Sequence, residues 1–238
     1  MTETRTRWVG RALGVVRPIL IDKVERDHAQ SDRAFRYRRI VVGVTLVVGA
    51  TLLGLSFATE QGDPAFYPLT FGLAATWAVG SLLSGPLHLG HIQILGARRR
   101  PVVTPVLVGL LLGGIFVVGG LVTREIPPLA ALTEDVLGYA RAGSLPLLAV
   151  ITLVNGIAEE LFFRGALYAA IPRHPVLVST VAYTVATLAT GNVMLGLAAV
   201  LLGLVVGLER RASGGVLAPI LTHVTWSTTM LFVLPRIF

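Results

Sequence analysis

The 238-residue sequence contains no cysteine, and only 14% of it is Asp, Glu, Lys or Arg. The first absence excludes disulfides, thiolate-held metals and cysteine nucleophiles. Any metal would have to be held by imidazole, carboxylate or amide groups. The second absence argues against an ordinary soluble domain, in which about 25% of residues are charged. A cleavable leader is not expected, because the first apolar run begins near Ile40, too deep for the h-region of a signal peptide.

What is present is apolar length. The sequence is 54% hydrophobic, with a mean hydropathy of +0.76. The apolar residues fall in runs rather than in short amphipathic pieces, which is the pattern of membrane-spanning helices. Seven spans are expected, at about 40–57, 67–84, 102–122, 145–163, 175–190, 193–208 and 216–234. The fifth and sixth are short against the roughly 20 residues a spanning helix needs. Only Gly191 and Asn192 separate them, so they should form a tight hairpin. The fold class expected is an all-α, polytopic transmembrane bundle.

The formal charge is +7, and residues 1–39 hold ten Lys/Arg against five Asp/Glu, a net +5. No nucleic-acid motif accompanies these charges. Their place beside apolar spans points to anionic lipid headgroups as the partner, with no nucleic acid. Trp8, Val9, Leu13, Val16 and Ile19 recur at helical spacing among arginines, which suits an amphipathic helix on the membrane surface. The loop at 58–66 carries Glu60 and Asp63 and no basic residue, whereas the next carries Arg98, Arg99 and Arg100. Later loops carry Arg173 and the pair Arg210 and Arg211. The positive-inside rule then places the N-terminus in the cytoplasm and the C-terminus outside. Residues 126–142 are too polar to span and read as a surface helix on the outer side. Three regions follow: a basic N-terminal segment over 1–39, three spans and the outer helix over 40–143, and a four-span core over 144–238.

Ionisable groups inside spans are costly, and each is by default a functional candidate. Two places stand out, Glu159-Glu160 followed by Arg164, and His223 in the last span. Glu160 and Arg164 are four apart and share a helix face, so they can pair. Glu159 points about 100° away, free to face another helix. Two carboxylates beside one arginine leave one acid needing a histidine, a metal or water. At about 1.5 Å per residue, Glu159 and His223 both lie about 9–12 Å from the cytoplasmic boundary, level with each other. His88 and His91 lie at the end of the second span and could add ligands; the plain alternative is that they are loop histidines.

The Glu-Glu-x-x-x-Arg pattern at Glu159, Glu160 and Arg164 resembles the first motif of the CPBP family, the CAAX-processing and bacteriocin-processing (Abi) intramembrane metalloproteases. Residues 203–223, GLVVGLERRASGGVLAPILTH, resemble the segment that carries a later family histidine, and ATGN at 189–192 resembles the intermediate motif. The resemblance covers about residues 144–231. It implies an intramembrane protease acting on a membrane-associated or prenylated protein, with catalytic Glu159, Glu160, Arg164 and His223, and zinc on Glu159 and His223. Two family positions differ. The middle histidine falls on Ala189, or on Thr187 if counted from Tyr183, and an expected asparagine is Ser227. A site so altered equally implies no metal, and a pseudoprotease serving as a binding or assembly subunit. A small transporter is a further alternative, although no inverted repeat is visible.

Overall fold

A computed structural model describes residues 16–24, 30–94 and 97–238. The amphipathic reading at Trp8, Val9 and Leu13 lies outside these residues. Within them, Arg17–Ile21 is a single helical turn with Pro18 and Ile19 buried. Arg211 Nη2 donates to the carbonyls of Leu20 and Ile21 at 3.1 and 3.2 Å, tying the turn to the protein itself.

Eight helices follow among the described residues. They are α1 (Asp32–Phe57), α2 (Phe66–Ser84), α3 (Val103–Thr123), α4 (Pro127–Ala142), α5 (Leu145–Ala170), α6 (Pro175–Leu188), α7 (Val193–Ser213) and α8 (Leu217–Val233). Ser31 caps α1 by accepting from Ala34 N–H, and Asn192 caps α7 by accepting from Met194 and Leu195 N–H. The protein is a helical bundle and a multi-pass integral membrane protein. Among the described residues, six helices are long and apolar enough to cross a membrane: α1, α2, α3, α5, α7 and the α8 segment Leu217–Arg236.

The expected fifth span is α6, which has 14 residues and so measures about 21 Å, less than the roughly 30 Å of hydrocarbon. The expected sixth span is longer than its hydropathy suggested. It continues through Glu209, Arg210 and Arg211 to Ser213, a full 21 residues. Burial of Glu209 and Arg210 explains the extension: their polar atoms face protein rather than the aqueous boundary. Two short antiparallel strands, β1 (Ile92–Ile94) and β2 (Ala97–Arg99), occupy the link between α2 and α3.

Without a solvent contrast between lipid and apolar side chains, helices in a bilayer associate through close packing and polar contacts. Here α1 lies on α2, α6 on α7, and α8 on α3, α5 and α7. Gly49 of α1 faces the Trp77 indole, and Gly80 of α2 faces the Thr45 side chain, so each pair of backbones approaches where one residue has no side chain. Trp77 stacks on Phe162 with centroids 4.5 Å apart, and Phe162, Phe163 and Tyr183 continue the aromatic core.

The loops divide between two ends. At one end, α4 packs beneath the α1–α2 loop: Tyr139 Oη donates toward the Phe57 and Thr59 carbonyls at 2.8 and 2.7 Å. Asn192 Nδ2 donates to Leu132 O at 2.7 Å, bringing the α6–α7 turn to the same end. Arg124 Nη1 reaches Ile237 O there as well. The opposite end collects the 17–24 segment, the strands and the α7–α8 turn, through Val24 N–H to Arg211 O and His91 N–H to Ser213 O.

Candidate functional site

The polar site lies where α5 meets α8 and α7. The first half of α5 is α-helical to Glu160; from Leu161 to Leu167 it is wound as a π-helix, with hydrogen bonds reaching five residues rather than four. Such wide turns occur mostly as single interruptions and often at functional sites. This one begins directly after the two glutamates and contains Arg164.

Glu160 Oε1 accepts from Arg164 Nη1 at 3.0 Å, and both side chains are fully buried. The same oxygen lies 2.7 Å from His223 Nδ1, brought in by α8. A carboxylate paired with arginine is an acceptor only, so Nδ1 carries the hydrogen. That fixes the ring and turns Nε2 toward Glu159, whose Oε2 is 4.0 Å away. This gap is too long for a direct hydrogen bond. It is short enough for one water to contact both groups. The Glu159 side chain is 17% exposed and His223 only 7%, so Glu159 is the open edge of the site.

The sequence placed Glu159 free and Glu160 against Arg164. The structure brings all four residues together, with Glu160 serving Arg164 and His223 at once. Around them, Gly156 leaves room beside the His223 ring, and Trp226 lies 6.1 Å from it. The Arg164 guanidinium sits over the Tyr183 ring at 4.7 Å, a cation–π contact. Its backbone carbonyl accepts from Arg210 Nε at 2.7 Å. Among the described residues, Glu160 Oε2 and Arg164 Nε and Nη2 are buried without hydrogen-bond partners, so the pocket has polar capacity to spare for water.

Three residues were missed by reading the sequence. Tyr183 of α6 borders the Glu159 carboxylate and the His223 ring, 6.4 Å between ring centroids. Glu209 is fully buried and accepts from Thr222 Oγ1 at 2.9 Å, with Thr222 next to His223 in α8. A signal for Glu209 existed: an acid at the end of an uninterrupted apolar run.

The resemblance implies zinc, and catalytic zinc usually takes three protein ligands and a water. The donors here do not fit that set. Ala189 has no donor atom. The Thr187 and Ser227 hydroxyls are spent on the Tyr183 and Val224 carbonyls of their own helices. His88 and His91 lie instead in a cleft at the end that carries the two strands and the α7–α8 turn, a basic end with Arg98, Arg100 and Arg211, and His91 sits beside Arg98. Among the described residues no group of three His, Asp or Glu is arranged to hold a metal ion.

Residues 141–229 match the family model described as type II CAAX prenyl endopeptidase Rce1-like. The matched segment contains all of α6, α7 and the four polar residues of the site, and agrees with the CPBP resemblance. No curated protein and no solved structure matches the chain.

Proposed function

We propose that this protein is an intramembrane endopeptidase of the CAAX-protease type, hydrolysing a peptide bond of a membrane-associated or prenylated protein with a water held between Glu159 and His223. The observation that carries the reading is the buried Arg164–Glu160–His223 chain, which aims His223 Nε2 at the partly open Glu159 carboxylate. A water between them donates one hydrogen to Nε2 and one to Glu159, leaving its lone pairs for the scissile carbonyl. As the water oxygen bonds to that carbon, Glu159 takes the proton. It then delivers the proton to the leaving nitrogen as the C–N bond breaks. Glu160 and Arg164 touch no substrate; they are positioning residues that hold the imidazole tautomer. The reading also takes the basic end of the bundle to be cytoplasmic, by the positive-inside rule.

The test is cleavage of a farnesylated peptide ending in a CAAX sequence by the protein reconstituted in vesicles. Wild type should release the terminal tripeptide. Glu159→Gln should lower kcat by at least about 100-fold, the size of a general-base contribution, with KM little changed. Equal rates in the two proteins would overturn the assignment.

A second reading has its own observation. The hydroxyls at Thr187 and Ser227 are turned into their helices, and Ala189 contributes nothing, which suits a pseudoprotease that binds without cutting. That reading expects peptide binding in the same vesicles with no product from wild type, and product appearing in Ser227→Asn or Ala189→His.

A further inference from the structure

A second polar place lies at the basic end, outside the glutamate site. It is a cleft of about 1990 Å³ bounded by the 18–24 segment, the start of α1, the link carrying the two strands, the α5–α6 turn and the end of α7. Among the described residues that line it, seven are Lys or Arg and two are Asp. One of those acids, Asp22, already faces Arg17 at 3.4 Å. The cleft is therefore strongly cationic.

Charge alone would make it a solvated surface. Arg38 makes it more than that. Arg38 is 1% exposed, and among the described residues its Nε, Nη1 and Nη2 are all buried without a hydrogen-bond partner. Arginine keeps its charge in proteins, so this is a buried, unpaired cation with five unused donors. Gly85, at φ 128°, stands against Arg38 Nη2, where any side chain would collide with the guanidinium. Near the mouth, Arg98 and Arg100 extend from β2 and its following residue, and Arg173 from the α5–α6 turn. Arg211 lines the same cleft and, among the described residues, keeps a buried Nε without a hydrogen-bond partner.

We infer that this cleft binds the phosphate group of an anionic amphiphile, with Arg38 as its buried anchor. A planar guanidinium fork matches phosphate oxygens in a bidentate manner and is suited to such recognition. The position fits the boundary of a bilayer: Arg38 lies two residues before Ile40, where the long apolar run of α1 begins. The walls are mixed rather than wholly polar. Leu89, Leu177 and Leu204 line the cleft and remain 50, 59 and 39% exposed, which suits the acyl end of a lipid beside its headgroup. The phosphate could come from a phospholipid or from solution, and the two sources are separable by experiment.

The full-length protein, purified in uncharged detergent, is titrated with phosphatidic acid, with phosphatidylcholine and with inorganic phosphate. Bound phosphorus is counted after gel filtration. Saturable retention of phosphatidic acid by wild type is expected, with affinity lowered about tenfold or more in Arg38→Gln, as for loss of hydrogen bonds to a charged group. Inorganic phosphate that displaces the lipid identifies the phosphate group itself as the ligand; failure to displace it identifies the intact lipid. Because Arg38 is buried, a second variant is needed. Arg98→Gln/Arg100→Gln alters exposed residues only and should also weaken retention. Unchanged affinity in that double variant, unchanged affinity in Arg38→Gln, or equal retention of phosphatidylcholine would overturn the inference.

Discussion

Replacing Glu160 by glutamine removes one charge from a buried network while keeping its shape. Glu160 Oε1 serves Arg164 Nη1 at 3.0 Å and His223 Nδ1 at 2.7 Å. The amide oxygen of glutamine can accept both bonds, so the acceptor geometry survives. The charge does not. Hydrogen bonds to charged groups contribute about 1.5–3 kcal/mol, against about 1 kcal/mol for neutral ones, so weakening two of them costs roughly 1–4 kcal/mol. A buried cation left without its partner typically costs about 3–5 kcal/mol. A smaller figure also has standing: polar contacts between helices in bilayers average about 0.6 kcal/mol, because the unfolded state in lipid finds other partners. The burial decides between them. Arg164 is 0% exposed and lies under the Tyr183 ring, so it cannot turn to water in the folded state. We expect Glu160→Gln to lose at least about 3 kcal/mol. Reversible unfolding in mixed micelles, followed by tryptophan fluorescence as the denaturing detergent fraction rises, measures it. Adding Arg164→Met removes the orphaned cation and should recover a large part of the loss, a strong non-additivity between contacting residues. A single-variant loss below about 1 kcal/mol, or simple additivity in the pair, would refute the reasoning.

Other expectations follow from the same structure. Gly80→Val should separate α1 from α2, because a side chain there meets Thr45; a loss of about 1–3 kcal/mol is expected, whereas Gly72→Ala, with open space beside it, should change little in the same unfolding assay. Tyr139→Phe should leave the Phe57 and Thr59 carbonyls without its hydroxyl, costing about 0.5–1.5 kcal/mol and raising hydrogen exchange in residues 58–65. His91 has its pKa pulled below the usual histidine value by partial desolvation and then by the positive charges of Arg100 and Arg98. Its imidazole should therefore be neutral at pH 7, with an NMR titration midpoint below that of a free histidine, and an anion bound in the cleft should move that midpoint upward.

Much of this was legible in the sequence because the relevant signals are local or set by depth. Apolar length gave the bundle, the four-residue spacing gave the Glu160–Arg164 pair, and matched depth brought His223 level with the glutamates. Depth cannot give rotation, however. Which carboxylate His223 would meet depends on how α8 turns against α5, and on the π-winding over Leu161–Leu167, for which LFFRGAL carries no evident signal. Glu209 falls just past the expected sixth span, beside the loop arginines Arg210 and Arg211. Those charges mark a boundary only if water reaches them, and here the helix continues to Ser213 with Glu209 and Arg210 buried. In the sequence Arg38 is one more cation of the basic segment over 1–39. Its burial depends on Gly85 and the α2–α3 link, 47 residues or more along the chain.

The most direct test of the central claim is hydrolysis in oxygen-18 water by protein reconstituted in vesicles with a farnesylated CAAX peptide. One heavy oxygen is expected in the new carboxylate of the shortened product from wild type, and no such product above background from Glu159→Gln or His223→Ala. Heavy-oxygen product formed equally well by all three proteins would contradict it.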